Sequence, residues 1–232
     1  MALSEVSGYV LAGGKSSRMG RDKALLELAG KPLVLRAVEK LRKVCAEVSI
    51  LSGRDELKAY APLVRDLHEG CGPLGGIEAA LAHSTRAWNL FMAVDMPFLP
   101  VGFLDAWVRG VIERQHARVA LFTVDGRPQP ALCLLHREVG TFVREAVQRG
   151  NFKLFPVLME AAQQLARQRE VDLNETLLNL PWGGEAPAFE EALNGWVPTE
   201  VQREASHLWF ANLNTPEEFA AAESFAGLLD AD

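Results

Sequence analysis

The stretch LAGGKSSRMGRDK, residues 11–23, sets Lys15, Arg18, Arg21 and Lys23 among Gly13, Gly14 and Gly20, directly after the apolar run Val6–Leu11. Glycine lets a backbone approach a ligand closely, and lysine and arginine donate strong hydrogen bonds to phosphate oxygens. A loop of this make-up suits a polyphosphate such as a nucleoside triphosphate. The bland alternative, a tight turn with solvated charges, is the commoner fate of a Gly-Gly-Lys loop taken alone. Two familiar phosphate-binding templates fail here. The dinucleotide fingerprint G-x-G-x-x-G needs glycine where Lys15 stands, and the P-loop G-x-x-x-x-G-K-[ST] needs glycine where Tyr9 stands.

A bound polyphosphate needs a divalent cation to neutralise its charge, so a carboxylate is expected at a strand end near the loop. Asp95 is the candidate, because it directly follows the apolar run Leu90–Val94 and precedes Met96-Pro97, which turns the chain away. By itself Asp-x-Pro is more often a turn or cap; with the loop beside it, the reading shifts to a functional carboxylate. Asp66, before the loop LHEGCGPLGGI, is a second candidate. A carboxylate accepts two parallel hydrogen bonds, which matches the N1–H and amino donors of guanine and not the acceptor-rich edge of cytosine. The glycines of Gly72–Ile77 let backbone pass close to base or ribose, although a simple helix entrance is the structural alternative. The five histidines show neither H-E-x-x-H nor zinc-like spacing and read as ordinary residues.

The elements that must position these groups alternate. Short Val-, Ile- and Leu-rich runs at Val6–Leu11, Val48–Leu51, Leu63–Asp66 and Leu90–Val94 are separated by segments of helical period, the pattern of a parallel sheet covered by helices. A first helix is expected from about Lys31, with Pro32 in its first turn, a short one at Asp55–Tyr60, and others at Gly75–His83 and Val101–Glu113. The runs Arg118–Val124 and Ala131–Leu135 flank Asp125-Gly126, so a hairpin adds one antiparallel strand. Helices follow at Glu138–Arg149 and Phe152–Arg169, then a stretch from about Asp172 to Ser206 with three prolines and no clear period. Leu208–Ala211 reads as a strand and Pro216–Leu228 as a helix capped by Thr215. The expected fold is a three-layer α/β/α sandwich around a mostly parallel, Rossmann-like sheet, in a single domain over 1–232.

Composition narrows the function classes. With 24 Lys and Arg against 30 Asp and Glu the net charge is −6, so no global positive field draws in nucleic acid or an anionic membrane, and basic side chains must act locally. Cys45, Cys71 and Cys133 are far apart and form no disulfide framework, which points to a reducing compartment. No signal-peptide pattern and no run of eighteen apolar residues is present, so a cytoplasmic protein is expected.

The complete string LAGGKSSRMGRDKALLELAGKPL resembles the signature L-A-[GA]-G-x-[SA]-x-R-M-G-x-[DP]-K of nucleotidyltransferases with a glycosyltransferase-A type fold. Within that superfamily Gly13-Gly14 and Asp22-Lys23 are similar to the molybdenum cofactor guanylyltransferases, whereas cytidylyltransferases usually have A-A-G and P-K there. The match AVDMPFLP to the family's D-x-P motif and GPLGGI to its G-P-L-[AG]-G-[IM] extend the resemblance. It implies transfer of GMP from GTP to the terminal phosphate of molybdopterin, with release of pyrophosphate. It further implies nucleotide contacts from Leu11, Ala12, Gly13, Gly14, Lys23, Asp66, Gly75 and Asp95, catalytic roles for Lys23, Arg18 and Asp95, and Mg²⁺ on Asp95. Gln129-Pro130 and the string Asn212–Glu218, with Asn212 and Asn214, correspond to elements on the pterin side, and Lys153 reads as a surface residue sooner than a pterin-phosphate ligand. Molybdenum-insertion proteins or molybdoenzymes are implied as transient partners.

The chain departs from the pattern after its second strand, where some members carry an asparagine and this sequence has Ser52-Gly53. Residues 172–206 match poorly and read as an insertion, in which Trp182 and Trp196 are expected to be packing anchors. The enzyme alternatives are a CTP-dependent molybdopterin cytidylyltransferase and a sugar-phosphate nucleotidyltransferase. The non-enzyme alternative is a nucleotide-binding adaptor that delivers cofactor, which would have no need to keep both Lys23 and Asp95.

Overall fold

The computed structural model describes residues 2–13, 22–183 and 195–229. Gly14, Lys15, Arg18 and Arg21 of the glycine-rich loop lie outside them. In chain order the main elements are β1 (Leu3–Leu11), a small hairpin of β2 (Glu27–Leu28) and β3 (Lys31–Pro32), α1 (Leu33–Val44), β4 (Cys45–Leu51), β5 (Leu63–Val64), α2 (Pro73–His83), β6 (Trp88–Ala93), α3 (Val101–Ile112), β7 (Val119–Val124), β8 (Arg127–His136), α4 (Val139–Gln148), α5 (Leu154–Arg169), α6 (Leu173–Thr176) and β9 (Leu177–Trp182). Seven strands form one sheet in the order β5-β4-β1-β6-β8-β7-β9. All run parallel except β8, which is antiparallel to both its neighbours, so the expected mixed sheet with one reversed strand is the observed one.

Alternating side chains on each strand feed two apolar layers, because successive residues of a strand point to opposite faces. Val6, Val10, Ile50, Leu90 and Met92 pack with Leu33, Val38 and Leu41 of α1 and Phe103, Leu104 and Trp107 of α3. Tyr9, Leu51, Phe91, Leu121 and Cys133 pack on the other face with Leu74 and Ile77 of α2, Val143 of α4 and Leu158 of α5. Cys45, Cys71 and Cys133 are free and buried, and no helix among the described residues is long and apolar enough to cross a membrane.

Local differences from expectation have local causes. Pro32 does not open α1; it pairs with Glu27 in the small hairpin, and the helix starts one residue later. The buried Arg36 of α1 fixes that hairpin by donating to the Leu28 carbonyl at 2.7 Å. The Asp125-Gly126 turn has positive φ at both residues, 47° and 76°, as a tight hairpin connection requires. Leu177–Trp182, within the stretch that showed no period, is the edge strand β9, parallel to β7. Its Pro181 is tolerated because an edge strand leaves one side of its backbone unpaired. Leu208–Ala211 is not a strand: Ala205–Leu208 form a 3-10 turn that drives Trp209 and Phe210 into the core. There Trp209 stacks on Trp182 with ring centroids 5.2 Å apart and lies 5.8 Å from Trp196, so both tryptophans of the 172–206 stretch are packing anchors. The last long helix ends at Glu223, and a separate 3-10 turn covers Ala226–Leu228.

At the end of the sheet away from the glycine-rich loop, His136 packs edge-on against Trp88. Burial and the nearby Arg118 push its pKa from the ordinary 6.5 down to about 4. Burial alone would raise the carboxyl of Glu138, but hydrogen bonds from Arg169 and Arg118 outweigh it and hold that group below its usual range. Between pH 6.5 and about 4 the unfolded chain binds a proton on His136 that the folded chain excludes, so stability falls as pH drops through this window. Glu138 acts in the same direction at the acid end. Urea melts are expected to show a lower midpoint at pH 4.5 than at pH 7, and His136→Gln should flatten the dependence; equal slopes for the two proteins would contradict this.

Candidate active site

Four strands deliver their ends to one edge. Their registers set Leu11 beside both Leu51 and Ala93, and Leu51 beside Val64. Backbone bonds continue past the strands, from Ala12 N–H to the Leu51 carbonyl (3.3 Å), Val94 N–H to Leu11 (3.2 Å) and Ser52 N–H to Val64 (3.2 Å). From β1 the chain runs outward through β4 and β5, then returns to β6 on the other side of β1. The crevice at such a reversal, at the carboxyl ends of the strands, is where open α/β sheets bind ligands. Ala12 and Gly13 follow β1 and Asp95 follows β6, so both strand ends border that crevice.

Asp22 caps the 3-10 turn Lys23–Leu25, its Oδ1 accepting the Ala24 N–H at 3.0 Å. The turn presents Lys23 Nζ to Asp95 Oδ2 at 2.5 Å and to Asn214 Oδ1 at 2.9 Å. Asn214 reaches this point because the Asp95 carbonyl accepts the Leu213 N–H at 3.1 Å, and because Thr215 and Glu218 form a capping box that starts the helix Pro216–Glu223. Glu218 Oε2 also accepts the Asn214 N–H at 2.6 Å. Three stretches far apart in the sequence thus converge on one ammonium group. The resemblance put Asn214 on the pterin side; in the structure it is a direct partner of Lys23.

The side chains of Lys23 and Asp95 are 17% and 15% exposed, enough shielding to strengthen their attraction while leaving it reachable. Asp95 Oδ1 is buried and has no hydrogen-bond partner among the described residues. A buried carboxylate oxygen left unpaired is costly and suits a cation. Among the described residues no group of three or more His, Cys, Asp or Glu gathers as a metal cage. One free carboxylate oxygen fits Mg²⁺, which draws its remaining ligands from water and phosphate.

Asp66 lies across the first turn of α2. A Cβ at Gly75 would come within 3.1 Å of Asp66 Oδ2 and 3.0 Å of Cys71 Cβ, and one at Gly76 within 3.5 Å of Asp66 Oδ1. The absence of side chains there is what lets the carboxylate sit at the helix start. Asp66 is open to solvent, yet this packing desolvates its carboxyl enough to raise the pKa. Gln129 and Pro130 are half-buried at the start of β8, and the antiparallel register, with Met92 opposite Leu132, carries them past the end of β6 on the same edge. Asn212 donates to the Phe210 carbonyl at 3.3 Å, and its own carbonyl accepts from Asn214 Nδ2 at 3.3 Å. Lys153 is exposed at the entrance to α5. Gly14 and Arg18 fall outside the described residues.

Sequence reasoning passed over Arg54. Its guanidinium pairs with Asp22 and donates to the Ala12 carbonyl at 2.7 Å and to Ser52 Oγ at 3.3 Å. No motif marks it; the one available signal is a basic residue shortly after a strand that ends at this edge.

A mixed sheet of this order, with a lysine set against an aspartate at a strand end beside its reversal point, defines a nucleotidyltransferase of the α/β class. The chain belongs to the MobA-like NTP transferase domain family, whose model matches residues 8–167. It is 33% identical over 165 residues to the molybdenum cofactor guanylyltransferase of Serratia proteamaculans (strain 568), a match covering 68% of this chain and 81% of that protein. It is 30% identical over 178 residues to the molybdenum cofactor guanylyltransferase of Yersinia pestis (strain Pestoides F), covering 74% and 90%. Among solved structures, molybdopterin-guanine dinucleotide biosynthesis protein A from Archaeoglobus fulgidus superimposes with a TM-score of 0.69 at 23% identity, over 95% of this chain and 98% of that one. The CMP:2-keto-3-deoxy-manno-octonic acid synthetase complexed with CTP gives 0.62 at 12% identity, over 97% and 99%. At these identities the two structures speak for the fold alone.

Proposed function

We propose that this chain, acting as a single cytoplasmic nucleotidyltransferase domain, transfers GMP from GTP to the terminal phosphate of molybdopterin and releases pyrophosphate. One observation carries the proposal: Lys23 Nζ is held at 2.5 Å from Asp95 and 2.9 Å from Asn214, which brings the motif lysine, the acidic strand end and the Asn212–Glu218 string to one cation. That relatives at 30–33% identity are named molybdenum cofactor guanylyltransferases supports the same direction, guanylyl transfer to the molybdenum cofactor.

In this mechanism Lys23 donates to the α-phosphate oxygens, where charge rises as a pterin phosphate oxygen forms its bond to the α-phosphorus and the bond to the β-phosphate bridge breaks. The attacking phosphate is ionised at neutral pH, so no general base is needed, and positioning and electrostatics carry the rate. Asp95 would hold Mg²⁺, which supplies charge neutralisation on the triphosphate. Backbone at Leu11–Gly13 borders the phosphates, and Gly14 and Arg18 are assigned there by resemblance. Asn214 orients Lys23, while Gln129, Pro130 and Asn212 line the acceptor side. Molybdenum-insertion proteins or molybdoenzymes are the partners that would receive the product.

Asp66 is assigned to the base, accepting from N1–H and the amino group of guanine, with Gly75 leaving room beside it. Purified protein supplied with Mg²⁺, molybdopterin and each of the four triphosphates is expected to release pyrophosphate with GTP. Asp66→Asn is expected to raise the KM for GTP about tenfold or more, as loss of a two-point contact worth about 1–3 kcal/mol implies, with kcat changed far less. Activity with CTP alone, or an unchanged KM in the variant, would overturn the base assignment.

A further inference from the structure

We infer that Arg54 is a positioning residue for the transfer reaction, setting Lys23 by fastening the two ends of the glycine-rich loop to each other and to β4. Its guanidinium reaches both described flanks of that loop, the carbonyl of Ala12 on the near side at 2.7 Å and the carboxylate of Asp22 on the far side. It is itself held from the β4 side, where Ser52 Oγ accepts from Arg54 Nε at 3.3 Å and from the Arg54 N–H at 3.2 Å. A planar guanidinium can serve three acceptors in fixed directions, which an ammonium on a flexible stem cannot reproduce.

The far flank is the one that matters for chemistry. Asp22 divides its carboxylate, Oδ1 capping the turn at the Ala24 N–H and Oδ2 pairing with Arg54. Lys23 is the first residue of that turn, and its ammonium is the one set between Asp95 and Asn214. Asp22 Oδ2 is buried, so without Arg54 it would be a desolvated charge with every reason to leave its place, and the turn would move with it. Arg54 touches neither Lys23 nor Asp95 in these contacts; it acts through Asp22. Its effect therefore falls on how well Lys23 meets the transition state, in kcat more than in ground-state affinity.

The inference rests on the assignment of Lys23 to the α-phosphate, and the test separates the two. Pyrophosphate release is measured with GTP, Mg²⁺ and molybdopterin for wild type, Arg54→Gln, Arg54→Lys, Asp22→Asn, Lys23→Ala and the double variant Arg54→Gln/Lys23→Ala, with thermal melts and GTP titration on each. Arg54→Gln and Asp22→Asn are each expected to lower kcat at least tenfold while the Kd for GTP moves less than threefold, and Arg54→Lys to restore only part of the loss. In the Lys23→Ala background, Arg54→Gln should cost less than twofold, because the group it positions is gone. If Arg54→Gln retains kcat within twofold, or loses as much in the Lys23→Ala background as alone, the positioning role is overturned. If Arg54→Gln melts far below wild type, Asp22→Asn, which keeps a hydrogen-bonding cap, decides the matter by the same criteria. A wild-type protein inactive with GTP, or Lys23→Ala with normal turnover, would instead overturn the proposed function.

Discussion

Lys23→Ala is expected to lower kcat by about two or more orders of magnitude, the loss of about 3 kcal/mol of transition-state stabilisation. The lysine sits at the meeting point of the crevice, with Asp95 at 2.5 Å and Asn214 at 2.9 Å fixing its ammonium before substrate arrives. A cation that is already oriented costs nothing to reorganise when charge builds on the α-phosphate, which is why such groups have large effects. The KM for GTP should move less, since the other phosphate contacts proposed above would remain. Steady-state kinetics of the variant check this, and turnover within threefold of wild type would remove Lys23 from the mechanism.

Asp95→Asn is expected to cost about a thousandfold in kcat/KM, about 4 kcal/mol, and to raise the Mg²⁺ concentration giving half-maximal rate at least tenfold. The substitution keeps the shape of the side chain and its backbone acceptor for Leu213, so the fold of the Asn212–Glu218 string is spared. Two things are lost together: the anionic oxygen with no other partner among the described residues, and the counter-charge that holds Lys23. A single defect in Lys23 orientation would lower kcat without shifting the Mg²⁺ dependence, so the titration separates the two losses. A variant that saturates at the same Mg²⁺ concentration as wild type would contradict the metal assignment.

Both residues are legible in the sequence: Asp95 closely follows an apolar strand, Lys23 ends the glycine-rich string that follows another, and the parallel architecture sends such strand ends to one edge. Asp66 and the glycines of α2 are legible for the same reason. Arg54 is not, since its importance comes from a contact with Asp22 that only the sheet order creates. The role of Asn214 is half legible: its string reads as part of the site, but its bond to Lys23 depends on the docking of Leu213 on the Asp95 backbone. In the fold, the strand β9 is hidden by Pro181, which lowers strand propensity and is permitted here by the edge position. The opposite error at Leu208–Ala211 arises because a four-residue apolar run has no periodicity to tell a strand from a buried helical turn. Trp209, 1% exposed, shows which way the aromatic core decided it.

The most direct measurement follows the α-phosphorus. Incubating the protein with Mg²⁺, molybdopterin and GTP labelled at the α-phosphate, then separating the products, is predicted to place the label in a pterin dinucleotide in a one-to-one ratio with unlabelled pyrophosphate. Label that remains in GTP, or passes to GMP or GDP with none in the pterin product, would contradict the account.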